Sequence, residues 1–314
     1  MKFALVFPGQ GSQSLGMMSA YGDSPVIRQT FDEGSAALGR DLWQLVTEGP
    51  AEALNQTVNT QPLMLAAGIA TYRFWLAKGG AQPCLVAGHS LGEYSALVAA
   101  GALTFADAVP LVELRAKAMQ EAVPSGEGAM AAILGIDAAT VQAACAESAQ
   151  GQVVEPVNFN APEQIVIAGH TAAVQRAAAA CKSRGAKRAL LLPVSAPFHC
   201  SLMQPAAEML RSHLADIRVR DPAIPVLNNV DVACQTDPAR IKDALVRQAA
   251  APVRWVEAMQ AMARQGITHV YECGPGKVLA GLVKRCAEGV TGGALADVAS
   301  IEAALDVVKE SFSC

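Results

Sequence analysis

Short apolar runs alternate along this chain with longer stretches of helical period, an order that predicts an α/β fold. Residues 2–7 read as a first strand that ends at Pro8-Gly9. Residues 30–80 read as helical, with Asn59-Thr60-Gln61-Pro62 leading into a long apolar helix that stops at Gly79-Gly80, where glycine can take the left-handed cap conformation. The apolar run from Cys84 then meets Gly88-His-Ser-Leu-Gly92 and a helix-forming segment, which predicts strand, sharp turn and helix. A further helix is expected over about residues 107–123.

From 125 to 194 the period changes. Strands are expected at 129–136, 153–157, 165–168 and 189–194, with helices at 138–148 and 171–184. That order, βαββαβ, is a ferredoxin-like unit. Pro124-Ser-Gly-Glu-Gly128 and Pro193 to Pro197 read as its connectors. The expected organisation is therefore a discontinuous α/β domain, 1–124 with 195–314, and an inserted subdomain, 125–194. After the insertion come a helix at 201–214, strand-like runs at 225–229 and 269–274, and helices between them at 238–250 and 254–265. The tail from 287 is rich in Gly and Ala, then helical, with no catalytic signal.

Composition narrows the function. A hydrophobic fraction of 52% over 314 residues supports a sizeable core. A net charge of -4 without aromatics interleaved among basic residues argues against a nucleic-acid partner. No stretch offers the ~18 uninterrupted apolar residues of a membrane span, and the apolar start is too short for a signal peptide, so a cytoplasmic protein is expected. Eight cysteines, at 84, 145, 181, 200, 234, 273, 286 and 314, form no Cys-x-x-Cys pair and no metal-ligand spacing; they are expected to be reduced and mostly buried. No coiled coil is evident, and a monomer is expected. Neither nucleotide signature holds: Ser14 stands where a dinucleotide loop needs its last glycine, and Gly274-Pro-Gly-Lys277 lacks the leading glycine of a phosphate loop.

The turn at Gly88 to Gly92 carries the chemistry. So sharp a bend holds Ser90 in a strained conformation, lifts its hydroxyl clear of the backbone, and sets Ser90 and Leu91 at a helix start that favours developing negative charge. A serine nucleophile needs a base, and the chain has five histidines. His89 should be turned away from Ser90; His170 lies at a hairpin-to-helix junction; His213 sits in a helix beside Arg211 and Asp216. His199 and His269 remain, of which His199, in a Pro-bounded loop at the domain junction, is the better placed. In the 107–123 helix, Glu113, Lys117 and Glu121 share one face while Leu111, Arg115 and Met119 share another. Arg115 therefore points inward and needs an anionic partner, from the protein or from a ligand.

Phe7-Pro-Gly-Gln-Gly-Ser-Gln13, Thr60-Gln-Pro62, Gly88-His-Ser-Leu-Gly-Glu93, Arg115, Ser195-Ala-Pro-Phe-His199 and Gly274-Pro-Gly276 occur in this order. In that order and over roughly residues 1–285 the chain resembles the malonyl-CoA:acyl-carrier-protein transacylases. The resemblance implies an α/β-hydrolase-like core with the inserted ferredoxin-like subdomain, and transfer of malonyl from malonyl-CoA to acyl carrier protein without metal or organic cofactor. It implies Ser90 as nucleophile, His199 as base and then acid, backbone N–H groups of Gln10 and Leu91 as oxyanion hole, and Arg115 as partner of the malonyl carboxylate. The histidine would be oriented by the backbone carbonyl of Gln248 in place of an acidic residue. Phe198 would screen the ester and accompany a preference for malonyl over methylmalonyl.

Other expectations are weaker in sequence. Gln61, and the hairpin residues Asn158, Asn160 and Gln164, are candidates for the pocket or the pantetheine channel. Lys187 and Arg188, in the basic cluster from Lys182 to Arg188, are candidates for docking the CoA phosphates or an acidic carrier protein. Rival readings are a serine thioesterase or esterase, for which an inward Arg115 would be a burden, and a non-catalytic carrier-protein docking module, which would have no use for a strained serine.

Overall fold

The computed structural model describes residues 1–310. Strand β1 (Phe3–Phe7) lies at the centre of a five-stranded parallel sheet with β2 (Leu85–Gly88), and all nine of their residues are buried. Four strands, β3 (Gly128–Leu134), β4 (Val154–Ala161), β5 (Gln164–His170) and β6 (Arg188–Leu191), form a separate antiparallel sheet in the order β4-β5-β3-β6. The parallel sheet is completed by β7 (Val226–Leu227), β8 (His269–Glu272) and β9 (Thr291–Ala294), in the order β7-β2-β1-β8-β9.

Both faces of the parallel sheet are covered, which explains why its strands read as unbroken apolar runs. Phe3, Leu5, Phe7 and Val86 face the helices Pro25–Leu38, Thr57–Ala77 and Phe105–Glu121. Ala4, Val6, Leu85, Ala87 and Val270 face Trp255, Met259 and Met262 on one helix and Leu279 and Val283 on the next. The small sheet lays Ala131, Ile133, Ile165 and Ile167 against helices Ala138–Ser148 and Thr171–Ser183. Its other face turns Met130, Val157 and Ala168 toward the main body.

Most element boundaries move by a few residues from expectation, and three differences bear on the site or the sheet. The fourth strand runs on to Ala161 where the sequence suggested a stop at Val157. Its outer edge finds a partner in the main body, because Val253 N–H donates to Val157 O at 2.8 Å and Phe159 N–H to Val253 O at 3.0 Å. Asn158 and Asn160 are thus strand residues, and only Pro162 and Glu163 turn. The tail contains a strand, β9, that pairs in parallel with β8. Its Thr-Gly-Gly-Ala sequence hides it, yet a side chain at Gly292 would lie 2.5 Å from Ala280 O and one at Gly293 2.7 Å from the Tyr271 ring. Finally, β6 ends at Leu191, and Leu192 to Val194 continue as irregular chain toward the site. Among the described residues seven cysteines are free, five of them buried; Cys314 lies outside those residues. No helix among them is long and apolar enough to cross a membrane.

The fold sets the nucleophile turn by contact rather than by propensity. A Cβ at Gly92 would stand 2.0 Å from the carbonyl oxygen of Phe7, on the central strand. Gly92→Ala should therefore destabilise the protein by about 1–3 kcal/mol or more, whereas Gly281→Ala, at an exposed helical position with no atom within 4 Å, should stabilise it by up to ~1 kcal/mol. Urea midpoints of the two variants should move in opposite directions; movement in the same direction would refute the packing account.

Candidate active site

Ser90 stands between β2 and the helix Gly92–Ala99 with φ 52°, a left-handed conformation that a serine adopts only when its surroundings impose it. Those surroundings are identifiable. A side chain at Gly88 would lie 1.8 Å from the Gly92 carbonyl carbon, so both glycines are needed for the turn to close. Asn229, just past β7, accepts a hydrogen bond from Ser90 N–H at 2.8 Å and donates one to Gly88 O at 2.7 Å.

The Ser90 Oγ lies 2.6 Å from His199 Nε2. His199, buried and itself at φ 66°, is met on its other side by the backbone carbonyl of Gln248, 2.9 Å from Nδ1. A carbonyl can only accept, so Nδ1 carries the proton and Nε2 presents a lone pair to the serine hydroxyl. Burial, with the Arg115 charge adding to it, pushes the imidazole down to about 3. The histidine is therefore neutral at pH 7 and able to take a proton. His269 is excluded as the base, since it begins β8 and bonds to Thr268. His89 turns aside, with Nε2 2.8 Å from Asn160 Oδ1 and its ring 5.4 Å from that of Trp255.

Arg115 does point inward and is buried to 1% exposure. Of the two sources left open for an anionic partner, the described residues supply none by hydrogen bond or ion pair. Its hydrogen-bond acceptors among the described residues are neutral: Gln61 Oε1 at 2.9 Å, Gln248 Oε1 at 3.0 Å and Ser90 Oγ at 3.1 Å. The guanidinium also sits 5.4 Å from the Tyr94 ring centroid, and its Nε has no partner. This is a buried cation, solvated by dipoles, whose full charge faces the nucleophile.

These groups open into a cavity of about 110 Å³, also lined by Gln10, Leu91, Met119, Met130, Asn158, Phe198 and Val194. The Ser90 N–H is already taken by Asn229, so a negative oxygen forming at Ser90 must look to other backbone donors. Gln10 and Leu91 flank the nucleophile within the same cavity. Asn158 has a buried Oδ1 without a partner. Two candidates are placed otherwise than expected. Asn160 is spent on His89, and Gln164 lies outside the cavity lining with its Oε1 2.5 Å from Arg285 Nη1. Asn158 and Asn160 would share a face of a regular strand, but the register shifts between Phe159 and Ala161, which parts them, and Gln164 begins β5. Lys187 and Arg188 are exposed at the start of β6, whose continuation supplies the cavity residues Leu192 and Val194. No cluster of metal-ligating side chains occurs among the described residues.

Two residues were given no role from the sequence. Asn229 holds the serine turn, and Glu93, buried in the first turn of an apolar helix, bonds to both Asn229 and Gln248. A carboxylate immediately after the glycine of the turn, on a helix otherwise apolar, was the available signal.

Residues 4–304 match the family described as acyl transferase domain. The chain is 59% identical over 305 residues, 97% of its length and 99% of the relative's, to the malonyl CoA-acyl carrier protein transacylase of Salmonella typhimurium. The chain belongs to the acyl transferase family, among the malonyl CoA-acyl carrier protein transacylases. Within the family it is also similar to the Bacillus subtilis transacylase, at 46% identity over 98% of each chain. The crystal structure of an acyl-carrier-protein S-malonyltransferase from Burkholderia pseudomallei superposes with a TM-score of 0.96 at 61% identity, covering 98% of this chain and 100% of that one. A family member solved in complex with a type II polyketide acyl-carrier protein gives 0.96 at 54% identity, covering 98% and 100%.

The burial of His199 makes a prediction with a definite sign. Its folded-state proton affinity is depressed, so the unfolded chain binds the extra proton first. Stability should therefore fall as pH drops from about 6.5, the free-histidine value, toward the folded value of about 3. His199→Gln should flatten that slope, as read from denaturant midpoints across pH. A slope unchanged by the substitution, or an imidazole that protonates near pH 6 by NMR, would contradict the assignment.

Proposed function

We propose that this chain transfers the malonyl group from malonyl-CoA to the phosphopantetheine thiol of acyl carrier protein through an ester on Ser90, supplying chain elongation in fatty-acid synthesis. The observation that carries the reading is Arg115: a buried guanidinium without a carboxylate partner, 3.1 Å from the nucleophile, suits an acyl group that brings its own carboxylate.

In the first half-reaction His199 Nε2 takes the hydroxyl proton as Ser90 Oγ bonds to the thioester carbon. The carbonyl oxygen becomes negative and is held by the N–H groups of Gln10 and Leu91, a contribution typically of ~3 kcal/mol or more per donor. Collapse breaks the carbon–sulfur bond, and His199 returns the proton to the departing CoA thiol. In the second half the pantetheine thiol gives its proton to His199, its sulfur attacks the ester carbon, and Ser90 Oγ leaves and recovers the proton. The Gln248 carbonyl steadies the imidazolium in each half. Phe198 helps exclude water, so that the thiol outcompetes hydrolysis. Gln61 fixes Arg115, and Asn158 offers its free oxygen to an amide N–H of the pantetheine arm.

The architecture supports a finer description: residues 1–124 and 195–314 as an α/β-hydrolase-like catalytic domain, with 125–194 as a ferredoxin-like subdomain. We infer a cytoplasmic monomer that needs no cofactor, because serine, histidine and arginine together supply nucleophile, base and charge. Lys187 and Arg188 are assigned to docking the anionic carrier protein or the CoA phosphates.

Brief exposure to malonyl-CoA should add one malonyl group to the intact protein, and Ser90→Ala should abolish it. Arg115→Ala should cost about 2–5 kcal/mol of malonyl recognition, a loss of about 30-fold or more relative to acetyl-CoA. Free malonate without an adduct would instead establish a thioesterase. Replacing Lys187 and Arg188 together by alanine should raise KM for carrier protein severalfold at low salt and little at high salt; an unchanged KM at low salt would remove them from the docking face.

A further inference from the structure

Behind the Ser90–His199 pair, on the side away from the cavity, lies a carboxylate that none of the steps above uses. Glu93 is 2% exposed, and a single one of its oxygens, Oε2, accepts two hydrogen bonds, from Gln248 Nε2 and from Asn229 N–H, each at 2.9 Å. Both donors belong to residues that touch the reacting groups. Asn229 holds the amide of Ser90 and the carbonyl of Gly88. Gln248 donates from the same Nε2 to Ser90 O at 3.0 Å, accepts from Arg115 at its Oε1, and through its backbone carbonyl holds His199.

The Gln248 side chain is a primary amide whose two ends have nearly the same shape and opposite hydrogen-bonding character. In the exchanged state its NH2 would face the Arg115 guanidinium, donor against donor, and its oxygen would face Ser90 O, acceptor against acceptor. An acceptor at the Glu93 position adds a further bar to that exchange by holding the NH2 end. Glu93 also cannot pair with Arg115 directly, because the amide stands between them. The cation keeps the opposing carboxylate at one remove, and only neutral acceptors hold its terminal N–H groups.

We propose that Glu93 is a positioning residue for the acyl transfer, fixing the Gln248 amide and the Asn229 loop with one acceptor oxygen and through them the histidine, the arginine and the serine turn. Burial pushes its carboxyl up to about 7, so the role is that of an acceptor more than of a charge. The inference deepens the function proposed above and rests on it for the identity of the acyl group, but the positioning of Ser90 is testable without any thioester.

The experiment compares Glu93→Gln, which keeps an acceptor, with Glu93→Met, nearly isosteric and without one. The first readout is the rate at which a fluorophosphonate probe labels Ser90, which needs no thioester; the second is kcat and KM for malonyl-CoA. Glu93→Met should slow labelling and lower kcat about tenfold or more with KM within twofold, and Glu93→Gln should stay within threefold of the parent on both. Labelling by Glu93→Met at the parent rate, equal losses in the two variants, or a loss confined to KM would overturn the proposal. Normal labelling behaviour with no malonyl transfer by the parent chain would sink the function proposed above and leave the role of Glu93 standing. Should Glu93→Met not fold, Gln248→Glu takes its place: facing Glu93 with a second carboxylate, it should slow labelling, and adding Glu93→Gln should restore part of the rate. A double variant no faster than Gln248→Glu alone would refute the role.

Discussion

A positive charge kept from water and given no negative partner is the constraint on which this site depends. Arg115 is solvated by two glutamine oxygens, a serine hydroxyl and an aromatic face. Neutral dipoles can hold a buried ion without cancelling its field, and that field reaches everything within a few ångströms. It weakens the hold of His199 on a proton in the free protein and favours the alkoxide of Ser90. On the proposed reading, a malonyl carboxylate arriving beside Arg115 would compensate the charge, and the imidazole would gain proton affinity as the reaction asks for it. Recognition of the acyl group and tuning of the base would then be one electrostatic event.

The same region concentrates backbone strain. Of the four non-glycine residues with positive φ among those described, two are Ser90 and His199, the pair that must meet. Each such conformation costs on the order of 1–3 kcal/mol, so the surroundings must hold it in place. Gly88 and Gly92 permit the serine turn, and Asn229 ties it down on both sides. The parallel sheet is the rigid base for all of this, its central strand so closely approached by the nucleophile helix that no side chain fits between them.

Much of this could be read from the sequence because the signals were local. A strand, a glycine-flanked serine and a helix in immediate succession are a geometric statement, and the i, i+4 spacing of the Phe105–Glu121 helix put Arg115 on its buried side before any contact was known. The order of strands and helices in the small unit was legible for the same reason. What was hidden depended on distant partners. The fourth strand extends because Val253 pairs with its edge, so Asn160 and Gln164 point elsewhere than a hairpin turn would have aimed them. The last strand is masked by glycines that neighbouring helices and rings require. The absence of an acid beside Arg115 was invisible too, since spacing reports which way a side chain points and says nothing of what it meets.

The hydrogen bonds that make the serine reactive have a bearing on how the chain acquires its chemistry. Ser90 reaches His199 across 109 residues, Asn229 across 139 and the Gln248 side chain across 158. Contacts of such separation form late, after the loops between them have closed. A growing chain in which residue 90 has emerged but residue 248 has not carries an ordinary hydroxyl in an incomplete sheet. Reactivity thus appears only with the completed topology, and the nascent chain passes through synthesis without an acylatable serine.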